Sequence, residues 1–181
     1  MSQIDERLHY DAILAVEDDK SKIATSEIIR LINPDLLQRT AIISIGPASN
    51  VISLAKLSKN REFPMRTVGI LDGDINIQNT INCIKIPSTV AIEKEIFDSI
   101  KADKINELAN RLGIDTELLN REFENSTTSQ DFHSWNRIIA ERLKLPEEKL
   151  WGDMVFLWAN KLDQQAKQNF VRSIQDIIIS N

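Results

Sequence analysis

Residues Ala12–Val16 have the sequence AILAV, a short apolar run that ends at the acidic triplet Glu17–Asp19. Three similar apolar runs follow in the first ninety residues, at 40–45, 66–71 and 81–86, and helical patterns alternate with them. Runs of this length, closed by turn-forming or acidic residues, are typical of buried strands. Strands that alternate with helices form parallel sheets with helices on both faces. We therefore predict an α/β fold with a mainly parallel sheet flanked by helices.

The second half of the chain has a different character. From about Ala91 onward the apolar residues follow helical spacing, and no segment has the pattern of a strand. The three tryptophans, Trp135, Trp151 and Trp158, all lie in this half, where we expect them to pack a helical layer onto the sheet. The predicted organisation is an α/β core over residues 1–100, followed by a helical C-terminal region over residues 101–181.

Composition limits the classes of function. The 181 residues include 22 Lys and Arg against 27 Asp and Glu, for a net charge of -5. A domain that binds nucleic acid through its overall charge is normally basic, so binding would need local basic patches or metal ions. The single cysteine, Cys83, excludes an intramolecular disulfide and a multi-cysteine zinc site. The acidic start lacks a signal-peptide pattern and no apolar run approaches about 20 residues, so we expect a cytoplasmic protein without a membrane anchor.

Acidic residues follow three of the predicted strands. The triplet Glu17–Asp19 follows the first, Asp72 and Asp74 follow the third, and Glu93 and Glu95 come shortly after the fourth. Ligands gather beyond the carboxyl ends of parallel strands, where converging carboxylates repel one another unless a cation neutralises them. Oxygen ligands of this kind select Mg²⁺ or Mn²⁺. The glycine at position 73 is expected to let the backbone turn sharply between the two aspartates.

Each of these motifs also has an ordinary structural interpretation. Asp-Gly is a common turn-forming pair, and acidic residues at 17–19 are favoured in the first turn of a helix by its dipole. An EF-hand loop that begins at Asp72 is excluded, because its sixth position would be Ile77 and its twelfth Cys83. The combination of acids after the first and third strands, with Gly46 closing the second, favours a site over either motif alone.

Two families share this order of motifs. The response-regulator receiver also has acids after its first strand, and in a receiver Asp72 would accept the phosphoryl group. However, receivers have a proline and a glycine shortly after that aspartate, and Asp74–Ile77 contains neither. Later strands that end in threonine or serine and in lysine are also missing from the pattern. The receiver is therefore the second alternative.

The closer resemblance is to the TOPRIM (topoisomerase-primase) domain of the OLD (overcoming lysogenisation defect) family of nucleases. The segments that resemble it are Leu14–Glu17, Ile43–Val51, Val68–Asp74, Ile84–Pro87 and Ala91–Glu95. They cover roughly the first hundred residues, and the later helices are similar to the tail of some OLD-like proteins in a less specific way. The resemblance implies a TOPRIM-like, Rossmannoid core.

The chain departs from the OLD pattern at three points. Asp18 stands where the family usually has glycine, and Ser21 stands where a second acid is common. Whether Asp18 or Asp19 replaces that acid is left open. OLD proteins usually carry a fused ABC-type ATPase, whereas this sequence has no Gly-x-x-x-x-Gly-Lys-Ser/Thr phosphate-binding loop. Three alternatives follow: the chain acts alone, an ATPase is supplied by another polypeptide, or the chain is one piece of a larger system.

The resemblance implies metal-dependent hydrolysis of phosphodiester bonds in DNA, by an endonuclease with a role in anti-phage defence. The implied Mg²⁺ or Mn²⁺ ligands are Glu17, Asp72, Asp74 and Glu93. The implied catalytic residues are Glu17, with His133 as a proton shuttle and Lys161 as a cation that stabilises the transition state.

Alternatives remain open for the function and for single residues. His133 lies beside Phe132 and Trp135 and would also suit a packed histidine, Lys161 would suit a solvated helix end, and Lys167 is an equal candidate for the assisting lysine. A TOPRIM-like partner-binding module with weak or no catalysis is the main alternative function. Association of several copies of the chain is also left open.

Overall fold

The structure is a computed structural model that describes residues 10–76 and 81–180. Its four strands are β1 (Ala12–Val16), β2 (Thr40–Ser44), β3 (Thr67–Leu71) and β4 (Cys83–Lys85). All neighbouring strands pair in parallel, in the order β2-β1-β3-β4. The predicted α/β fold with a parallel sheet is confirmed. The acidic start of the chain and Ile77, which the sequence analysis used, lie outside the described residues.

Three helices lie between the first three strands, namely α1 (Asp19–Ile32), α2 (Pro34–Arg39) and α3 (Ala48–Lys59). The side chain of Asp18 begins α1 by accepting a hydrogen bond from the Ser21 amide at 2.8 Å. Asn33 ends α1 and caps α2 by accepting from the Leu36 amide. The sequence predicted only an end at Asn33-Pro34. An asparagine cap with proline at the first helical position also starts a helix, which explains the additional element.

After β4 the described residues form helices joined by loops and no further strand, which confirms the predicted C-terminal helical region. The helices are α4 (Ile92–Asp103), α5 (Ile105–Leu112), α6 (Thr116–Ser126), α7 (Trp135–Leu143), α8 (Glu147–Lys161) and α9 (Gln164–Ser180), with a short 3-10 helix at Phe132–Ser134. Gly113 ends α5 in a left-handed conformation with a φ of 67°, which glycine adopts without steric cost.

Two clusters of apolar side chains cover the two faces of the sheet. The smaller cluster joins Ala15 and Leu71 of the strands to Val51 of α3. The larger joins the opposite face to α1, α4, α8 and α9, and includes the buried Trp151 and Trp158. The tryptophans therefore pack as expected. The predicted division at residue 100, within α4, stays a prediction.

Close packing against α3 explains one glycine of the central strand β3. A Cβ atom added at Gly69 would lie 2.6 Å from the Cys83 sulfur and 3.0 Å from a methyl group of Val51. The residue must therefore be glycine for β4 and α3 to approach β3 this closely.

Parallel pairing brings the carboxyl ends of all four strands to one edge of the sheet. Glu17 directly follows β1 and Asp72 directly follows β3, its neighbour in the sheet. The edge therefore carries the first two predicted acids side by side. Within the described ranges, no helix is both long enough and apolar enough to cross a membrane.

Candidate functional site

Glu17 and Asp72 are each held by the first residue of a helix. Glu17 Oε2 accepts a hydrogen bond from the Ala48 amide of α3 at 3.1 Å. Asp72 Oδ2 accepts one from the Ile92 amide of α4, also at 3.1 Å. Neither helix has a side-chain cap from its own N-cap residue. The two carboxylates therefore replace the missing caps and face the positive ends of the helix dipoles.

The Asp72 carboxyl lies in an environment that disfavours its charge. Burial is the largest effect and raises its pKa to about 7, although the Ile92 amide acts in the opposite direction. The negative charges of Glu93 and Glu17 raise this pKa further. Asp72 therefore lies close to acids that come from two other segments of the chain.

Glu17 is subject to the same effects. Burial raises the pKa of its carboxyl, the Ala48 amide lowers it, and the negative charges of Asp18, Asp74 and Glu93 raise it. The carboxylates of Glu17, Asp72, Asp74 and Glu93 therefore lie close enough to influence one another's charge. We call these four residues the acidic cluster.

Glu93, in the first turn of α4, also binds the predicted histidine. Its side chain is only 7% exposed, and its Oε1 lies 2.9 Å from Nδ1 of His133 in the 3-10 helix. This hydrogen bond is the main reason why the pKa of His133 is raised above 6.5. The His133 side chain is 61% exposed, so it is not a packed core histidine. The structure therefore joins His133 to the acidic cluster through Glu93.

Lys20, which sequence reasoning missed, is a cation beside His133. Its Nζ donates a hydrogen bond to the His133 carbonyl oxygen at 2.9 Å and lies 3.9 Å from Glu147 Oε1. The ammonium group is also 5.8 Å from the centre of the Trp151 ring. The local signal was the position of Lys20 three residues after Glu17, in the first turn of α1. Nothing in the sequence connects it to His133, which lies 113 residues away.

Lys161 and Lys167 lie away from the acidic cluster. Lys161 ends α8, and its Nζ binds Asp103 at 2.8 Å. Asp103 is the last residue of α4 and Glu93 lies in its first turn, so about 15 Å of helix separates them. Lys167 is buried and donates to the Ala159 carbonyl near the end of α8. Lys161 therefore lies at the opposite end of α4 from the acidic cluster, and its catalytic role stays a prediction.

The acids that could replace the one missing at Ser21 have partners of their own. Asp18 caps α1, as described above, and Asp19 Oδ1 accepts a hydrogen bond from the Ser44 hydroxyl at 2.7 Å. Of the two, Asp18 acts on the charge state of Asp72. Ser21 is buried.

Gly73 lies in the predicted turn, which the Ile75 amide closes by donating a hydrogen bond to the Asp72 carbonyl at 3.2 Å, and close packing also requires a glycine here. A Cβ atom at this position would lie 2.1 Å from the Ser88 carbonyl oxygen, and the residue does not adopt a left-handed conformation. Lys85 Nζ also donates a hydrogen bond to the Gly73 carbonyl at 2.9 Å. The loop between Asp72 and Asp74 is therefore held against the backbone that follows β4.

The chemistry of the acidic cluster fits a divalent cation, because it offers carboxylate oxygens whose mutual repulsion a cation would relieve. The positions of the side chains, however, do not form a complete metal site. Among residues 10–76 and 81–180, no three side chains of His, Cys, Asp or Glu converge closely enough to hold an ion as they stand. Three of the carboxylates, those of Glu17, Asp72 and Glu93, each have one oxygen in a hydrogen bond. Coordination would therefore need rotation of side chains at this edge.

No protein-family model matches this chain, and no curated protein matches it. Two solved structures, both of the C-terminal region of the Xanthomonas campestris pv. campestris OLD protein, have a similar fold. The one phased with mercury has a TM-score of 0.51 at 12% identity, over 93% of this chain and 94% of that chain. The one phased with platinum has a TM-score of 0.50 at 14% identity, over 93% and 92%. The predicted OLD-like relationship is thus supported at the level of the fold, and its TOPRIM assignment stays a prediction.

Proposed function

We propose that this protein is a divalent-metal-dependent nuclease that hydrolyses phosphodiester bonds in DNA. The observation that supports the proposal is the acidic cluster, in which burial and neighbouring carboxylates raise the pKa of Asp72 to about 7. Such a group destabilises the fold when it is ionised, unless positive charge compensates it. A bound Mg²⁺ or Mn²⁺ would supply that charge. The similar fold of the OLD C-terminal region agrees with the proposal.

The acids of the cluster would have different roles, according to their positions. Glu17, Asp72 and Asp74 follow the ends of neighbouring strands, and their free carboxylate oxygens would hold the cation. A bound divalent ion activates water and stabilises the charge on the attacked phosphate. Glu93 is a weaker candidate for a ligand than the other three, because its side chain is only 7% exposed and its Oε1 is bound to the imidazole of His133.

His133 would donate a proton to the leaving oxygen. Its hydrogen bond to Glu93 fixes the orientation of the ring and favours the protonated form. Because Nδ1 binds Glu93 and the ring is exposed, the proton on Nε2 would be within reach of a substrate. Lys20 holds the His133 backbone through the carbonyl oxygen and adds positive charge beside the site. Lys20 therefore replaces Lys161 as the lysine that assists.

The test is a nicking assay on supercoiled plasmid with Mn²⁺ or Mg²⁺. The wild-type chain should nick the plasmid, and Asp72→Asn should not, because the variant keeps the shape of the side chain and loses its charge. Asp98→Asn is the matched control, since Asp98 is an exposed acid of α4 that pairs with Lys94. Equal nicking by the wild type and Asp72→Asn would refute the proposal.

The partner-binding module is the second candidate, and one observation favours it. Glu17 and Asp72 already have a structural use as caps of α3 and α4, which a protein without catalysis would also keep. In that case Mn²⁺ would not bind and the chain would co-purify with a partner, such as the ATPase that the OLD resemblance implies. The receiver alternative lacks support, because the described residues after β4 form helices and loops and none of the further strands that a receiver needs. The role in defence, the cytoplasmic location and association between copies stay predictions.

A further inference from the structure

A row of aromatic rings leads from the helical core to the acidic cluster. It begins at Phe123 and Phe97, which are buried and stack with their ring centres 4.8 Å apart. Trp135 follows, 4.5 Å from Phe97, and the Phe132 ring lies edge-on to Trp135 at 6.4 Å. His133 is the last ring, with its centre 4.1 Å from that of Phe132. We call these five residues the aromatic row.

Burial decreases from one end of the row to the other. Phe97 and Phe123 are buried, Trp135 and Phe132 are half-buried, and the His133 side chain is 61% exposed. Aromatic rings contribute to binding chiefly through the large flat area that they remove from water. Most of the His133 ring is still in contact with water, although Phe132 lies against it. The outer end of the row therefore offers aromatic surface to a ligand.

The 3-10 helix that carries this outer end is held at several points. Asp131 begins the helix by accepting a hydrogen bond from the His133 amide at 3.1 Å. Glu93 binds Nδ1 of the His133 ring, and Lys20 binds the His133 carbonyl oxygen, both at 2.9 Å. The orientation of the ring is thus fixed before a ligand binds, which reduces the entropy lost on binding.

The outer end of the row borders the acidic cluster. Glu93 joins the two, because it binds His133 and its negative charge raises the pKa of both Asp72 and Glu17. A nucleic acid whose phosphate reaches the cluster would therefore bring the sugar and base of the same nucleotide close to His133. Proteins bind unpaired bases by stacking them on the rings of Phe, Tyr, Trp or His.

We propose that the exposed face of the His133 ring, backed by Phe132, stacks an unpaired nucleobase beside the phosphate at the acidic cluster. This inference rests on the proposed function for its class of substrate, nucleic acid, and it adds the form of that substrate: a single strand, or a duplex with one base turned out of its stack. Within a duplex, neighbouring bases cover both faces of each base, so a paired base cannot stack on His133. The ring can also donate its proton, because Nε2 lies on its edge and the base covers its face.

Two substitutions of His133 separate stacking from proton transfer. His133→Phe keeps an aromatic ring and has no proton to donate, whereas His133→Asn loses the ring and has an amide that can still donate to Glu93. Binding is measured by fluorescence anisotropy with a fluorescein-labelled single strand of about twelve nucleotides. The buffer contains Ca²⁺, which takes oxygen ligands as Mg²⁺ does, and a denaturing gel checks that the strand stays intact.

The loss of one stacked base should be visible as a loss of affinity. His133→Asn should weaken binding about tenfold, and His133→Phe should change it less than about twofold. Phe132→Leu keeps an apolar side chain without the backing ring and should weaken binding about threefold. Phe156→Leu is the matched control, because Phe156 is also half-buried but packs against Arg111 of α5, and it should bind as the wild type does. Circular dichroism melting curves check that each variant is folded.

A fluorescent adenine analogue within the strand reports stacking directly, because its emission falls when it stacks on a ring. The wild type and His133→Phe should quench it, and His133→Asn should not. A duplex of the same sequence should bind at least about tenfold more weakly than the single strand. Equal affinities of the wild type and His133→Asn, equal losses in the two His133 variants, equal binding of strand and duplex, or no binding by the wild type would overturn the proposal.

The assays separate this inference from the proposed function. If the wild type binds the strand through the His133 ring and yet does not nick plasmid in Mn²⁺, base stacking is supported and the nuclease is refuted. If the wild type nicks plasmid while His133→Asn binds the strand as the wild type does, the nuclease is supported and base stacking is refuted.

Discussion

The substitution Asp72→Asn should make the metal-free protein more stable above neutral pH. Asp72 is buried beside other carboxylates, which raises its pKa from 3.8 to about 7. Asparagine has nearly the same shape, and its side-chain oxygen can still accept the hydrogen bond from the Ile92 amide. The variant therefore removes the charge and keeps the cap of α4.

The sign of the pH dependence follows from the raised pKa. Below pH 3.8 the carboxyl is protonated in the folded and unfolded states, and Asp72 does not affect the free energy of unfolding. Between pH 3.8 and about 7 the unfolded state loses its proton first, so the stability of the wild type falls as the pH rises. Above about pH 7 both states are ionised, and the loss of stability becomes constant. Asp72→Asn has no carboxyl group at this position, so its stability does not fall in this way.

The size of the effect follows from the same pKa. The difference between 3.8 and about 7 corresponds to about 4 kcal/mol, at 1.36 kcal/mol per pKa unit. Because part of the side chain still contacts water, screening reduces this figure to about 2 kcal/mol. Asp72→Asn should therefore match the wild type at pH 4 and exceed it by about 2 kcal/mol at pH 8.

Urea denaturation in EDTA at a series of pH values measures this difference. The buried Trp151 and Trp158 make intrinsic fluorescence a suitable signal. Asp98→Asn, at an exposed position of α4, should show no comparable gain. Addition of Mn²⁺ should reverse the order at pH 8, because an ion at one hundred times its Kd stabilises the wild type by about 2.7 kcal/mol and has lost a ligand in the variant. Parallel curves for the wild type and Asp72→Asn from pH 4 to pH 8 in EDTA would refute the account of the acidic cluster.

Three further predictions concern other parts of the site. Glu93→Gln should lower the pKa of His133 towards 6.5, because the carboxylate is the main cause of its elevation; titration of the ring protons by NMR measures this, and an unchanged pKa would contradict the contact. Gly73→Ala should lower the free energy of unfolding by about 1–3 kcal/mol, since the new methyl group meets the Ser88 carbonyl; urea denaturation that shows no loss would contradict the close approach. Lys161→Ala should leave the rate of plasmid nicking unchanged, because this lysine lies at the far end of α4. A large decrease in the rate would instead indicate that Lys161 takes part in catalysis.

Sequence patterns predicted the strands well because the signal is local. The run AILAV coincides with β1, and the other three strands lie within the predicted runs at 40–45, 66–71 and 81–86. Buried parallel strands are apolar on both faces, so a short continuous run is enough to identify them. The short helix α2 was missed because Asn33-Pro34 acts as the end of one helix and the start of the next, and the local signal does not distinguish the two.

The proximity of Glu17 to Asp72 also followed from the sequence, given one general rule. Parallel strands place their carboxyl ends at the same edge, so acids that directly follow two such strands must lie near one another. The hydrogen-bond partners of these acids could not be predicted from the sequence. The amides of Ala48 and Ile92, which donate hydrogen bonds to these carboxylates, are distant in sequence and were identified as partners only from the positions of α3 and α4.

Short apolar runs and the direction of the chain were enough to predict the fold class, the strand positions and the edge of the sheet on which the acids lie. The contacts between side chains could not be predicted in this way and appeared only in the folded structure. Lys20 and His133 are 113 residues apart and are joined because α1 and α4 both pack against α8 and the 3-10 helix packs against α4. Lys161 binds Asp103 because the end of α8 lies beside the end of α4. Such contacts depend on how whole helices pack, and no spacing within one segment encodes that arrangement.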